Sequence, residues 1–187
     1  MTTPRTEHTI AGIVLAGGQS RRMGRDKAMM RWNKGSLLAH MQGLLLAAGA
    51  DPVRVSGAYP AFDGIRDEIP DQGPLGGLHS VLKTLPDGPA WVVPVDMPLL
   101  GVALLHELRD AASSPCVIIA GHPMPMRLDI NSRARAVVEA LLDDADGPRS
   151  LRALQRLLGV LELAHAGPSA LPLFNCNTPE QWKELVP

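Results

Sequence analysis

At 187 residues, the chain has the length of one ordinary domain, enough to bury roughly 70% of the surface its unfolded form exposes. A composition of 45% hydrophobic and 20% charged residues excludes disordered and fibrous classes. A net charge of −1 supplies neither a basic field for nucleic acid nor a polybasic run for a membrane. The apolar stretches, such as Leu44–Ala48, fall far short of the ~20 residues that span a bilayer. Met1–Thr9 is polar and lacks the apolar segment of a signal peptide, so it is expected to be a loose tail ahead of a single domain over 10–187. Cys116 and Cys176 have no CxxC or Cys/His spacing and are expected to be reduced, Cys116 in the core. Together these features predict a cytoplasmic protein with neither nucleic-acid nor membrane partners.

In chain order, Ile10–Ala16 is a short apolar run ending in two glycines, which predicts a buried strand feeding a tight loop. Leucines and alanines at helical spacing follow a Ser cap over Ser36–Ala48, and Gly49 supplies a stop. Pro52–Ser56 is strand-like, Gly64–Arg66 starts another short strand, and Gly76–Leu85 is helical. Ala90–Val95 is a strong β run closed by Asp96-Met97-Pro98. Val102–Ala112 predicts a helix, Cys116–Ala120 a strand, and Arg133–Leu142 and Ser150–Leu158 helices. Thr178–Val186 carries a Thr-x-x-Gln capping box with Pro179 in its first turn. Strands alternating with helices argue for an α/β fold with a largely parallel sheet, whose ligands bind beyond the carboxyl ends of the strands.

The stretch Leu15-Ala16-Gly17-Gly18-Gln19-Ser20-Arg21-Arg22-Met23-Gly24-Arg25-Asp26-Lys27 stands at such a place. Consecutive glycines let backbone approach a ligand closely, and freed N–H groups can cradle phosphate oxygens. Arg22 and Lys27 add cationic donors, the lysine as a point charge. Neither Gly-Lys-Ser/Thr nor GxGxxG is present, so this is not a common phosphate loop. Gly73-Pro74-Leu75-Gly76-Gly77-Leu78 is a glycine-rich turn opening a helix. Asp96, at the end of a buried run, suits either a hard cation or the cap of the next helix. Asn175 and Asn177 alternate just before the final capping box, which does not account for them.

The string LAGGxSxRMGxDK resembles the signature of molybdenum cofactor guanylyltransferases, and the other landmarks resemble that family's motifs in the same order. The resemblance runs from Ile10 to Leu185. It implies a three-layer αβα Rossmann-like sandwich and transfer of GMP from GTP to the terminal phosphate of Mo-molybdopterin, with release of pyrophosphate. It further implies nucleotide contacts at Leu15, Ala16, Gly17, Gly18, Lys27, Ser56, Asp67, Gly76 and Asp96. Lys27, Asp96 and Arg22 are implied as catalytic, Asp96 as ligand of Mg²⁺, and Asn175 and Asn177 as acceptor contacts. Other cofactor-biosynthesis or target proteins are implied as further partners. Asp67 takes the place of the guanine-contacting Asp; Asp71 lies close by, and the spacing from Gly73 favours Asp67.

Three places depart from the family pattern. Ser56-Gly57 stands where an Asn is common, Gly76 where Ala is commoner, and Met124-Pro125-Met126 follows the Gly121-His122-Pro123 turn. His122 is open to an acceptor role or a structural one, and His79, His106 and His165 are expected at the surface or in packing. Met23, Met29 and Met30 are expected in the core. A phosphate monoester acceptor is already anionic, so the reaction needs no side-chain nucleophile, and the sequence offers no nucleophile constellation. A related enzyme using CTP or another phosphate acceptor, or a GTP-binding protein without turnover, remains an alternative.

Overall fold

The computed structural model describes residues 9–17, 26–165, 171–178 and 181–182. Gly18 and Arg22 lie outside the described residues, as do residues 1–8 and most of the helix expected over 178–186. The elements in order are β1 (Ile10–Leu15), β2 (Arg31–Trp32), β3 (Gly35–Ser36), α1 (Leu37–Ala47), β4 (Ala50–Ser56), α2 (Gly73–Leu82) and β5 (Gly88–Pro94). There follow α3 (Val102–Asp110), β6 (Cys116–Ile119), β7 (His122–Ile130), α4 (Ser132–Asp143), α5 (Leu151–Leu158) and β8 (Val160–Leu163). Six strands form one sheet in the order β4-β1-β5-β7-β6-β8, and β2 and β3 form a separate antiparallel pair. β1 runs parallel to β4 and β5, and β6 parallel to β8, whereas β7 is antiparallel to both its neighbours.

The period-2 alternation of the strands divides the core in two. Ile10 and Val14 of β1, Trp91 and Val93 of β5, and Val117 and Ile119 of β6 face α1 and α3. Their neighbours Ala11, Ile13, Leu15, Ala90, Val92, Cys116 and Ile118 face α2, α4 and α5. The result is three layers with the sheet in the middle. Gly12 allows a close approach: a Cβ there would lie 3.0 Å from Ala50 Cβ and 3.1 Å from Leu45 Cδ1, so β1 meets β4 and α1 where that side chain is missing. Ser36 caps α1 by accepting from the Ala39 N–H at 3.2 Å, and Gly49 at φ +92° ends it, both as the sequence predicts. α2 begins three residues earlier than expected, because Pro74 fits a first turn that needs no N–H from it. Among the described residues no helix is long and apolar enough to cross a membrane.

The main correction lies at 122–130: beyond the expected Gly121-His122-Pro123 turn the sequence predicts no element, and a nine-residue strand, β7, forms there, starting at His122. Its prolines mask it in the sequence. The pairing with β5 runs only over Met126–Ile130, and a register shift separates the β6 pairs of Met126 and His122. Pro123 and Pro125 therefore fall where no ladder bond is lost. β7 also carries Arg127, which is buried in mid-strand. Its guanidinium donates to the carbonyls of Leu108, Arg109, Ala111, Ala112 and Ser114 at 3.1–3.2 Å, filling the C-terminal end of α3.

Candidate active site

β1, β4 and β5 end side by side, and the Ala16 N–H to Ser56 carbonyl bond (3.2 Å) and Val95 N–H to Leu15 carbonyl bond (3.1 Å) carry the pairing just past their ends. Gly17, Ser56 and Asp96 thus stand together at the edge where a parallel sheet binds ligands. The sequence-derived residues form two groups there.

The first group surrounds a cleft of about 680 Å³ whose lining includes Gly17, Asp26, Tyr59, Asp67, Asp71 and Gly73. Ser56 is fully buried, with its hydroxyl between two glycines. A Cβ on Gly17 would come within 3.2 Å of that hydroxyl and 3.4 Å of Asp67 Oδ1, and a Cβ on Gly77 would fall on the hydroxyl itself. The glycines let the first loop and α2 close around Ser56 and Asp67. Ser56 thus packs under α2. Gly76, the neighbour singled out in the sequence, faces Gln72 instead, whose Cβ would be 2.7 Å from an added Cβ. Gly77, named in the sequence only as part of the glycine-rich turn, is the one of the pair that meets Ser56 and Asp67.

Asp67 Oδ1 is buried with no hydrogen-bond partner among the described residues, and desolvation raises the carboxyl above its ordinary pKa. An acceptor left unmade in a folded protein costs on the order of 1–3 kcal/mol, which a ligand N–H pair would recover. Asp71 lines the same cleft from a left-handed backbone position, φ +61°.

The second group centres on Lys27, in the single 3-10 turn Lys27–Met29. Its ammonium donates to Asn177 Oδ1 at 2.8 Å and lies 3.6 Å from Asp96 Oδ2. Asp96 does not cap the next helix: α3 starts at Val102 behind Gly101, so the capping alternative is excluded. Burial pushes the Asp96 carboxyl up, and the Lys27 charge opposes that shift. The Cys176 N–H donates to the Asp96 carbonyl at 2.8 Å, tying the last motif to the end of β5. The capping box expected at 178–181 forms, with Thr178 Oγ1 and Gln181 Oε1 each accepting from the other's N–H. Gln181 also accepts from the Asn177 N–H at 2.8 Å, which directs Asn177 towards the lysine. Asn175 is exposed on the same stretch. Asp96 does not line the cleft; Asp26, which does, joins the two groups by preceding Lys27.

Leu15 is in the core, its carbonyl accepting from the Val95 N–H, and the Ala16 carbonyl accepts from Tyr59. Tyr59 was missed, although it is the chain's single tyrosine and sits beside Gly57. His122 opens β7 at the same edge of the sheet. His79 is buried on α2, and His106 packs against Trp91. Met29 is exposed and Met30 half-buried, against the expectation of core; Ala28 takes the buried side of the short turn. Met29, Met30, Arg31 and Trp182 line a smaller cleft of about 450 Å³ together with Asp26.

Residues 12–160 match the family model of the MobA-like NTP transferase domain. The chain is 46% identical over 176 residues to a molybdenum cofactor guanylyltransferase of Xanthomonas euvesicatoria, a match spanning 94% of this chain and 93% of that protein. Its fold resembles that of a molybdopterin-guanine dinucleotide biosynthesis protein A from Archaeoglobus fulgidus, with a TM-score of 0.75, 19% identity, and coverage of 94% and 96% of the two chains. The family model over most of the chain and the 46%-identical relative over nearly all of it agree with the geometry at the sheet edge: the chain belongs to the MobA-like NTP transferase family.

Proposed function

We propose that the protein transfers GMP from GTP to the terminal phosphate of Mo-molybdopterin and releases pyrophosphate. The observation that carries this reading is the pairing of an unpartnered, partly buried carboxylate in the cleft, Asp67, with a lysine held between Asn177 and Asp96. The first suits a base that presents two donors, as guanine does through N1–H and its exocyclic amine. The second suits phosphate charge. Gly17 and Gly77, lacking side chains, leave the room in which the buried Ser56 hydroxyl and the Asp67 carboxylate sit together.

The acceptor phosphate is an anionic nucleophile, so the reaction is one of positioning and charge compensation. Two unit charges ~4 Å apart cost about 4 kcal/mol at an effective dielectric of 20. Lys27 lowers that repulsion, and Asn177 holds the ammonium in place for it. Among the described residues no three His, Cys, Asp or Glu side chains converge on one point. A divalent ion at Asp96 would be held by that carboxylate, with phosphate and water oxygens available to complete its shell. That hard, oxygen-only set fits Mg²⁺, which would supply charge neutralisation at the α-phosphate.

The test is incubation of the protein with GTP, Mg²⁺ and Mo-molybdopterin, followed by the mass of the product and assay of pyrophosphate. A guanine dinucleotide is the expected product. A cytosine dinucleotide formed preferentially from CTP, or GTP binding without product, would overturn the reading.

A further inference from the structure

Tyr59 and Asp26 line the cleft beside Asp67 and connect it to the lysine cluster. The Tyr59 hydroxyl donates to Asp26 Oδ1 at 3.0 Å and lies 3.2 Å from the Ala16 carbonyl, with which it shares its one proton. Ala16 leads into the glycine-rich stretch and Asp26 follows it, so one side chain ties together the residues on both sides. The same Asp26 oxygen accepts from the Ala28 N–H at 3.0 Å, capping the turn that carries Lys27. That turn is a single 3-10 turn, too short to hold its own shape, so its cap fixes where the lysine points.

Tyr59 is itself firmly placed. Gly57, at φ +118°, lies under the ring so closely that a Cβ would be 2.6 Å from it, and the Tyr59 carbonyl accepts from the N–H of Phe62 at 2.9 Å and of Gly64 at 3.0 Å. Burial first, and then the Asp26 carboxylate, raise the phenol's pKa, so the hydroxyl keeps its proton at working pH.

We propose that Tyr59 and Asp26 are positioning residues for Lys27: the tyrosine hydroxyl holds the aspartate, and the aspartate fixes the turn from which the lysine reaches the nucleotide's phosphates. This rests on the phosphate role of Lys27 given above. Tyr59→Phe keeps the ring on Gly57 and removes only the hydroxyl. Its expected effect is a fall in kcat of about 10–100-fold, the scale of a lost hydrogen bond to a charged group, with little change in the KM for GTP. In the Lys27→Ala background the same change should cost less than about 2-fold more, because residues acting as a unit are not additive.

Amide exchange of the free protein tests the placement without turnover. The Ala28 N–H should exchange about 10-fold faster in Tyr59→Phe, with Leu45 in α1 unchanged. Asp26→Asn, which keeps an oxygen to cap the turn, should retain slow Ala28 exchange better than Asp26→Ala. Unchanged Ala28 exchange in Tyr59→Phe would overturn the proposal. So would a loss of turnover fully additive with that of Lys27→Ala, which would mean that the hydroxyl meets the nucleotide directly. If the wild-type protein forms no guanine dinucleotide, the function reading fails while Ala28 exchange still decides the positioning.

Discussion

The Asp67 carboxylate has one buried oxygen without a partner, and burial pushes its pKa above the ordinary carboxylate range. In the unfolded chain it ionises at the ordinary value. As pH rises through the interval between the two values, the unfolded chain loses the proton first, so stability falls. Below that interval the penalty is absent, and above it the penalty is complete. Asp67→Asn removes the charge and is expected to raise the melting temperature at pH 7 by a few degrees, a gain that vanishes below the ordinary carboxylate range. The same variant would present a donor to guanine's donors, and competition binding should show GTP affinity falling about 10–100-fold. A GTP preference that survives the change would remove Asp67 as the base reader. Such a residue is legible in a sequence only by motif, since burial without a partner depends on Gly17 and Gly77 closing over it.

At the scale of elements, Arg127 shows how one side chain can complete a helix it does not belong to. Its five carbonyl acceptors lie at and beyond the C-terminal end of α3, where a helix leaves acceptors unmade. Arg127→Met keeps volume and leaves those acceptors buried, unlike an exchange that replaces both partners of a pair. The expected loss is about 3–5 kcal/mol, or about 6–20 °C in Tm, measured by thermal and urea unfolding. Arg127→Lys should recover only part of this, because an ammonium cannot reach five acceptors in a fan. An unfolding midpoint unaltered by Arg127→Met would show those carbonyls to be satisfied otherwise. The sequence gives no hint of the arrangement: a charged residue among prolines and methionines looks like a loop until β5 and β6 enclose it.

For the whole molecule, the decisive contact joins residues 150 positions apart, Lys27 and Asn177. The chain's last motif is brought to the end of β5 by the Cys176–Asp96 backbone bond, so the Lys27 cluster forms only in the complete fold. Lys27→Ala is expected to lower turnover at least about 100-fold while the melting temperature moves little. Asp96→Asn should abolish the dependence of turnover on Mg²⁺, and a Mg²⁺ titration identical to that of the wild type would remove Asp96 as the ligand. Both side chains are partly exposed, and circular dichroism of each variant separates lost chemistry from lost folding.

By itself, the amino-acid order determined the layer architecture, most of the helices and strands, and the four motifs in their places. Periodicity and capping are local properties, and Ile10–Leu15 or Ser36 declare themselves within a few residues. Only the tertiary structure decided that 122–130 is a strand, that Gly77 rather than Gly76 faces Ser56 and Asp67, that Asp96 caps no helix, and that Tyr59 holds Asp26. Each of these depends on which distant backbone comes within hydrogen-bonding reach. That is set by the packing of all three layers at once, which no window of sequence contains.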